Sequence, residues 1–101
     1  MDTHIVVCQQ SIVVTIRGSM GVEEAHALRA NLLSCIRGGL SIVVIKMADL
    51  QYIDSTGLGA LSAINKCALK AGGKVTLSGL NGMVARLIHL SQLDQYFDIQ
   101  N

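Results

Sequence analysis

The chain has 101 residues, half of them hydrophobic, with two Tyr, one Phe, no Trp and a formal net charge of +1. That length supports one hydrophobic core, and one domain over residues 1–101, without the help of disulfides. The scattered charge and scarce aromatics exclude the concentrated basic patch and stacking rings of a nucleic-acid binder, and no apolar run is long enough to insert in a membrane.

Ile5-Val6-Val7 and Ser11-Ile12-Val13-Val14-Thr15-Ile16 are β-branched runs separated by Gln9-Gln10, which predicts an opening hairpin whose second strand closes at Gly18. From Val22 the period changes, with Val22, Ala25, Leu28, Leu32 and Ile36 on one helical face. Glu23 and Glu24 occupy the first turn, where the dipole favours acids, and Gly38-Gly39 stops the helix. Ser41 to Met47 reads as a central strand buried on both faces and ending near Ala48. A second helix runs from Ser55 to Ala71, ended by Gly72-Gly73, and Lys74 to Ser78 is another strand. Asn81 caps a third helix from Met83 to about Leu93, with Val84, Leu87, Ile88 and Ser91 inward, and Tyr96 to Ile99 can add a short edge strand. The expected fold is α/β, in the order β-β-α-β-α-β-α. Its mixed sheet has four or five strands, with helices packed on it through right-handed crossovers.

Cys8, Cys35 and Cys67 are widely spaced and form no CxxC pair, so neither a metal site nor a redox dithiol is indicated. Cys8 and Cys35 are expected as buried free thiols. The start Met1-Asp2-Thr3-His4 lacks the basic and apolar regions of a secretory signal, and a reducing cytoplasm is the expected location. Lys66, Lys70 and Lys74 form the one local charge cluster, read as a solvated helix face.

The informative segment is Asp54-Ser55-Thr56-Gly57-Leu58-Gly59, where the central strand gives way to the second helix. Asp54 or Ser55 can cap the first turn. Gly57 and Gly59 inside that turn each cost up to ~1 kcal/mol against Ala, which points to a close approach to the helix backbone, by a phosphate or a partner chain. On the helical wheel Leu58, Leu61, Ile64, Ala68 and Leu69 turn to the sheet. Gly59, Ala60, Ala63 and Cys67 make a small, smooth opposite face flanked by Lys66 and Lys70, a shape suited to docking a protein.

Catalytic patterns fail on spacing. Ile53 stands where a GxSxG nucleophile elbow needs Gly. Asp54-Ser55-Thr56-Gly57 has one residue too many for the Asp-to-Gly spacing of an aspartic protease, and Ala71-Gly72-Gly73-Lys74 is half a P-loop that precedes a strand. His4, His26 and His89 have no ligand-spaced neighbours, and the latter two are expected on helix surfaces. No catalytic residue, metal or cofactor is assigned.

The segment Ile53 to Leu61, the later Ala71-Gly72-Gly73-Lys74-Val75, and the closing Val84 to Ile88 with Leu93 to Phe97 resemble the STAS domain (sulfate transporter and anti-sigma factor antagonist). The chain is most similar to the free-standing bacterial anti-anti-sigma factors, in order over nearly its whole length. The resemblance implies that Ser55, rather than Thr56, is phosphorylated by a partner that is both a GHKL-type serine kinase and an anti-sigma factor. The unphosphorylated form would bind that partner and release a sigma factor, and a PP2C-type phosphatase would reset it. ATP and magnesium belong to the kinase. Asp54, Thr56, Gly57, Leu58, Gly59, Ala60, Ala63 and Lys66 are the implied partner-binding residues. Many relatives carry acidic residues in the turn after the second strand, where this chain has Gly18-Ser19-Met20-Gly21, so kinase recognition shifts to Glu23 and Glu24. Asn81-Gly82 replaces a common Ser-Pro, and Gln92 stands where Gly often ends the third helix. The same resemblance admits a subunit of a membrane transporter or a signalling scaffold unit, each binding without phosphorylation.

Overall fold

The computed structural model describes residues 1–100. Two β-branched segments open it: β1 (Asp2–Cys8) and β2 (Ser11–Met20) form an antiparallel hairpin across the two-residue turn Gln9-Gln10. Then come α1 (Val22–Arg37), β3 (Ile42–Ile53), α2 (Ser55–Lys70), β4 (Lys74–Ser78), α3 (Gly82–Leu90), a 3-10 turn (Leu93–Gln95) and β5 (Asp98–Gln100). The strands form one five-stranded sheet in the order β1-β2-β3-β4-β5, and every pairing after the hairpin is parallel. The terminal strand forms, but at Asp98–Gln100, because Tyr96 ends the 3-10 turn and Phe97 turns into the core.

Alternation decides which way each strand faces. Ile12, Val14 and Ile16 of β2, Val43, Ile45 and Met47 of β3, and Val75 and Leu77 of β4 are buried. They meet Ala25, Leu28, Leu32 and Ile36 of α1, Leu61, Ile64 and Ala68 of α2, and Val84 and Ile88 of α3 in one contiguous core. The intervening Val13, Thr15 and Val44 are half-buried and Lys46 is exposed. The central strand is therefore buried on one face only, and the two-faced expectation fails.

Both strands beside the site are longer than the sequence predicts. β2 continues through Gly18 to Met20, and β3 continues past Ala48 to Ile53. Register shifts between Thr15 and Arg17 and between Gly18 and Ser19 break the period-2 pattern, so these segments read as loop. The Arg17 and Asp49 side chains pair across them at 3.6 Å.

Other expectations fail for local reasons. Cys8 is exposed because β1 is an edge strand, and Cys35 is only half-buried. Val22 and Leu69, placed inward by periodicity, are 52% and 54% exposed. Val22 opens its helix and Leu69 follows the fully buried Ala68 in the last turn of its own, so each lies at the margin of its helix's buried stripe and not at its centre. Lys74 lies on β4 rather than a helix face, 3.4 Å from Asp98. Asn81 sits at the N-cap position of α3 but makes no side-chain cap bond; its amide donates to the carbonyls of Ala48 and Gly79. Helix α3 stops at Leu90, and Ser91 is an exposed C-cap, not an inward residue.

Because one sheet face carries the core, truncation there should be asymmetric. Ile45→Ala should lower unfolding stability by about 2–5 kcal/mol and Lys46→Ala by less than about 0.5 kcal/mol, read from urea denaturation midpoints.

Candidate functional site

The candidate site is built where β2 and β3 end together. Ser19 pairs with Tyr52 and Met20 with Ile53, so the turn that begins α1 lies beside the turn that begins α2. Asp54 is the N-cap of α2, with extended backbone, and its Oδ1 accepts from the Gly57 amide at 3.0 Å. The sequence left Asp54 and Ser55 as alternative caps; the structure selects Asp54. Ser55 is the first helical residue and its side chain is exposed.

The two glycines have different reasons. Gly57 is buried, and a Cβ there would lie 2.5 Å from Ile53 Cγ1 and 2.9 Å from Met20 Sδ. The close approach expected from a phosphate or a partner is made here by the protein's own strand ends. At Gly59 nothing lies within 4 Å of an added Cβ, and the residue is exposed. Only Gly59 keeps its bare backbone turned outward.

Ser55 and Thr56 point to different surroundings. Around Ser55 an open hollow is lined by Tyr52, Ile53, Asp54, Leu58 and Leu87, with no cation among them. Thr56 is half-buried and shares a groove between α1 and α2 with Ala25, His26, Arg29, Gly59, Ala60 and Ala63. Farther along, Arg37, Lys66 and Lys70 flank the same groove over Ala63 and Cys67. Of the sequence-selected docking residues, Gly59 and Lys66 are exposed, Leu58 and Ala63 are half-buried, and Gly57 and Ala60 are buried. Arg29, Arg37, Lys66 and Lys70 form no ion pair among the described residues.

Of the two acids offered for kinase recognition, Glu24 is already engaged. Its Oε1 accepts from the Gly21 amide at 2.9 Å and caps α1, which leaves exposed Glu23 as the free carboxylate of that turn. Sequence reasoning also missed Asn65, which is buried and donates to the Tyr96 carbonyl at 3.1 Å, tying α2 to the C-terminal segment. Its only signal was a polar residue on the buried stripe of a helix. Among the described residues no group of three or more His, Cys, Asp or Glu converges to hold a metal, and no helix is long and apolar enough to cross a membrane.

The STAS domain model matches residues 4–101. The chain belongs to the STAS domain family. It is 32% identical to the anti-sigma-B factor antagonist of Bacillus subtilis (strain 168) over 91 residues, covering 90% of this chain and 83% of that protein. The fold is similar to the crystal structure of an anti-sigma factor antagonist from Mycobacterium paratuberculosis. That match has a TM-score of 0.85 and 23% identity, and covers 98% of this chain and 84% of the other. It is also similar to the Bacillus cell fate determinant SpoIIAA in its phosphorylated form, with a TM-score of 0.81 and 16% identity over 99% of this chain and 92% of that one. The STAS fold and the family resemblance read from the sequence are borne out.

The glycines can be told apart by substitution. Gly57→Ala should destabilise by about 1–3 kcal/mol through overpacking, whereas Gly59→Ala should stabilise by up to about 1 kcal/mol. Asp54→Ala should cost about 0.5–2 kcal/mol as a lost cap, all measured by chemical denaturation.

Proposed function

We propose that this chain is an anti-sigma factor antagonist switched by phosphorylation of Ser55. Unphosphorylated, it binds an anti-sigma factor that is also a GHKL-type serine kinase, and so releases a sigma factor; a PP2C-type phosphatase resets it. The observation that carries this reading is an exposed serine at the first position of α2, beside its Asp54 cap, in a chain related to the Bacillus subtilis antagonist over 90% of its length.

The local chemistry supports a switch of binding rather than of folding. A helix start leaves the Ser55 and Thr56 amides without intrahelical acceptors, and the dipole favours a phosphate there. The cap bond from Gly57 to Asp54 does not involve the Ser55 hydroxyl, so modification breaks no hydrogen bond of the fold. The hollow around Ser55 supplies no Lys or Arg to neutralise the added charge of about −2. That charge faces the partner uncompensated, and desolvating it in an interface costs several kcal/mol, roughly 3–5. Thr56, half-buried against α1, is the poorer acceptor.

The partner's footprint in this reading runs from Asp54, Thr56 and Leu58 along Gly59, Ala60 and Ala63 to Lys66, over the Gly57 turn. The unpaired cations flanking the α1–α2 groove fit an acidic partner surface. Glu23 is the one free carboxylate left for the partner at the α1 turn.

Incubation with the purified kinase and ATP should place phosphate on Ser55, located by mass spectrometry. Ser55→Ala should remain unlabelled and bound, and Ser55→Asp should bind at least about tenfold more weakly, ~1.4 kcal/mol. A wild-type chain that is never labelled, with both variants binding alike, would overturn the switch. Lys66→Glu should weaken the complex without altering phosphate-free stability, as read by titration calorimetry at two salt concentrations.

A further inference from the structure

The two edges of the sheet are unequally protected. Strand β5 is three residues long and carries Asp98, whose carboxylate accepts from Thr76 and Lys74. A short, charged edge resists pairing with another chain. Strand β1 is seven residues long, pairs with β2 without a register shift, and has no Pro or Lys. Its centre Ile5-Val6-Val7 is 37%, 47% and 54% exposed, so apolar side chains stand uncovered on both of its faces.

The hairpin fixes which backbone groups are free. Cys8 and Ser11 close a two-residue turn and are therefore a hydrogen-bonded pair. Alternation then turns Cys8, Val6, His4 and Asp2 toward β2, and leaves the NH and CO of Val7, Ile5 and Thr3 pointing outward. We infer that this edge pairs antiparallel with β1 of a second copy of the chain, about a two-fold axis at Ile5.

That register sets Ile5 against the partner's Ile5, and Thr3 against the partner's Val7. Every outward NH and CO from Thr3 to Val7 then gains a partner, and the interface is self-complementary, as two-fold symmetry requires. His4 lies opposite the partner's Val6 and Asp2 opposite the partner's Cys8, so no like charges face each other. Shifting the axis to His4 would oppose two histidines, and shifting it to Val6 would pair Thr3 with the turn residue Gln9. The helices of both copies stay on the same side of a continuous sheet. One strand contact falls short of the ~1,200 Å² of a stable interface, so the dimer is weak and reversible. This pairing does not depend on the reading of Ser55, which lies at the start of α2.

Sedimentation equilibrium of the full chain should show a monomer–dimer equilibrium, and Ile5→Lys should weaken it at least tenfold with unfolding stability unchanged. Mixing Ile5→Lys with Ile5→Glu should restore association as a heterodimer. In a Cys8→Ser background, oxidation of mixed His4→Cys and Val6→Cys chains should give the mixed disulfide in preference to either homodimer. A wild-type chain that stays monomeric to millimolar concentration overturns the proposal, as does association indifferent to Ile5→Lys. Preferential cross-linking of His4→Cys or Val6→Cys to itself overturns the Ile5 axis.

Discussion

The site depends on one close approach, the backbone of α2 at Gly57 against Ile53 and Met20. With no side chain between them, the first turn of the helix rests directly on the paired ends of β2 and β3. The parallel register that joins Met20 to Ile53 supplies that floor, and the Asp54 cap satisfies the Gly57 amide that the approach would otherwise bury without a partner. Ser55 is thereby held exposed at the corner between a strand end and a helix start. A longer side chain at position 57 would lift the turn and move the serine with it.

Most of the fold was legible because each element keeps its period. The β-branched run Ser11 to Ile16 forms the strand it predicts, and the helical spacing of Ala25, Leu28, Leu32 and Ile36 ends up buried as expected. The ends of β2 and β3 were illegible because bulges displace the alternation just where Gly18, Ser19, Asp49 and Gln51 dilute it. Helix termini misled for a related reason. Val22 and Leu69 sit at the margins of their helices' buried stripes, where three- and four-residue spacing does not separate a covered position from an open one.

The candidate site stood out in the sequence as a motif and not as a geometry. Asp54 to Gly59 stood out in the sequence, yet nothing there told which glycine faced the interior and which faced solvent. The roles of Glu24 and Asn81 were missed too. Glu24 caps its own helix through Gly21, three residues away, a capping-box spacing that the sequence carries and the dipole reading passed over. Asn81 reaches Ala48, thirty-three positions earlier in the chain, a partner that follows from tertiary placement, on which single-residue preferences are silent.

The same geometry is compatible with the control by charge proposed for Ser55. A phosphate in the middle of a helix or against the core would be coupled to stability, and its effect on binding would be mixed with unfolding. At the first position of α2 the dipole and the free amides tolerate the charge, while the cap that holds the turn belongs to a different residue. The groove cations lie on the other side of α2, with Thr56, and not in the hollow that Ser55 faces. Under the proposed switch, one backbone would carry both the modified and the unmodified serine, and the difference between the two states would be concentrated on the surface that a partner must desolvate.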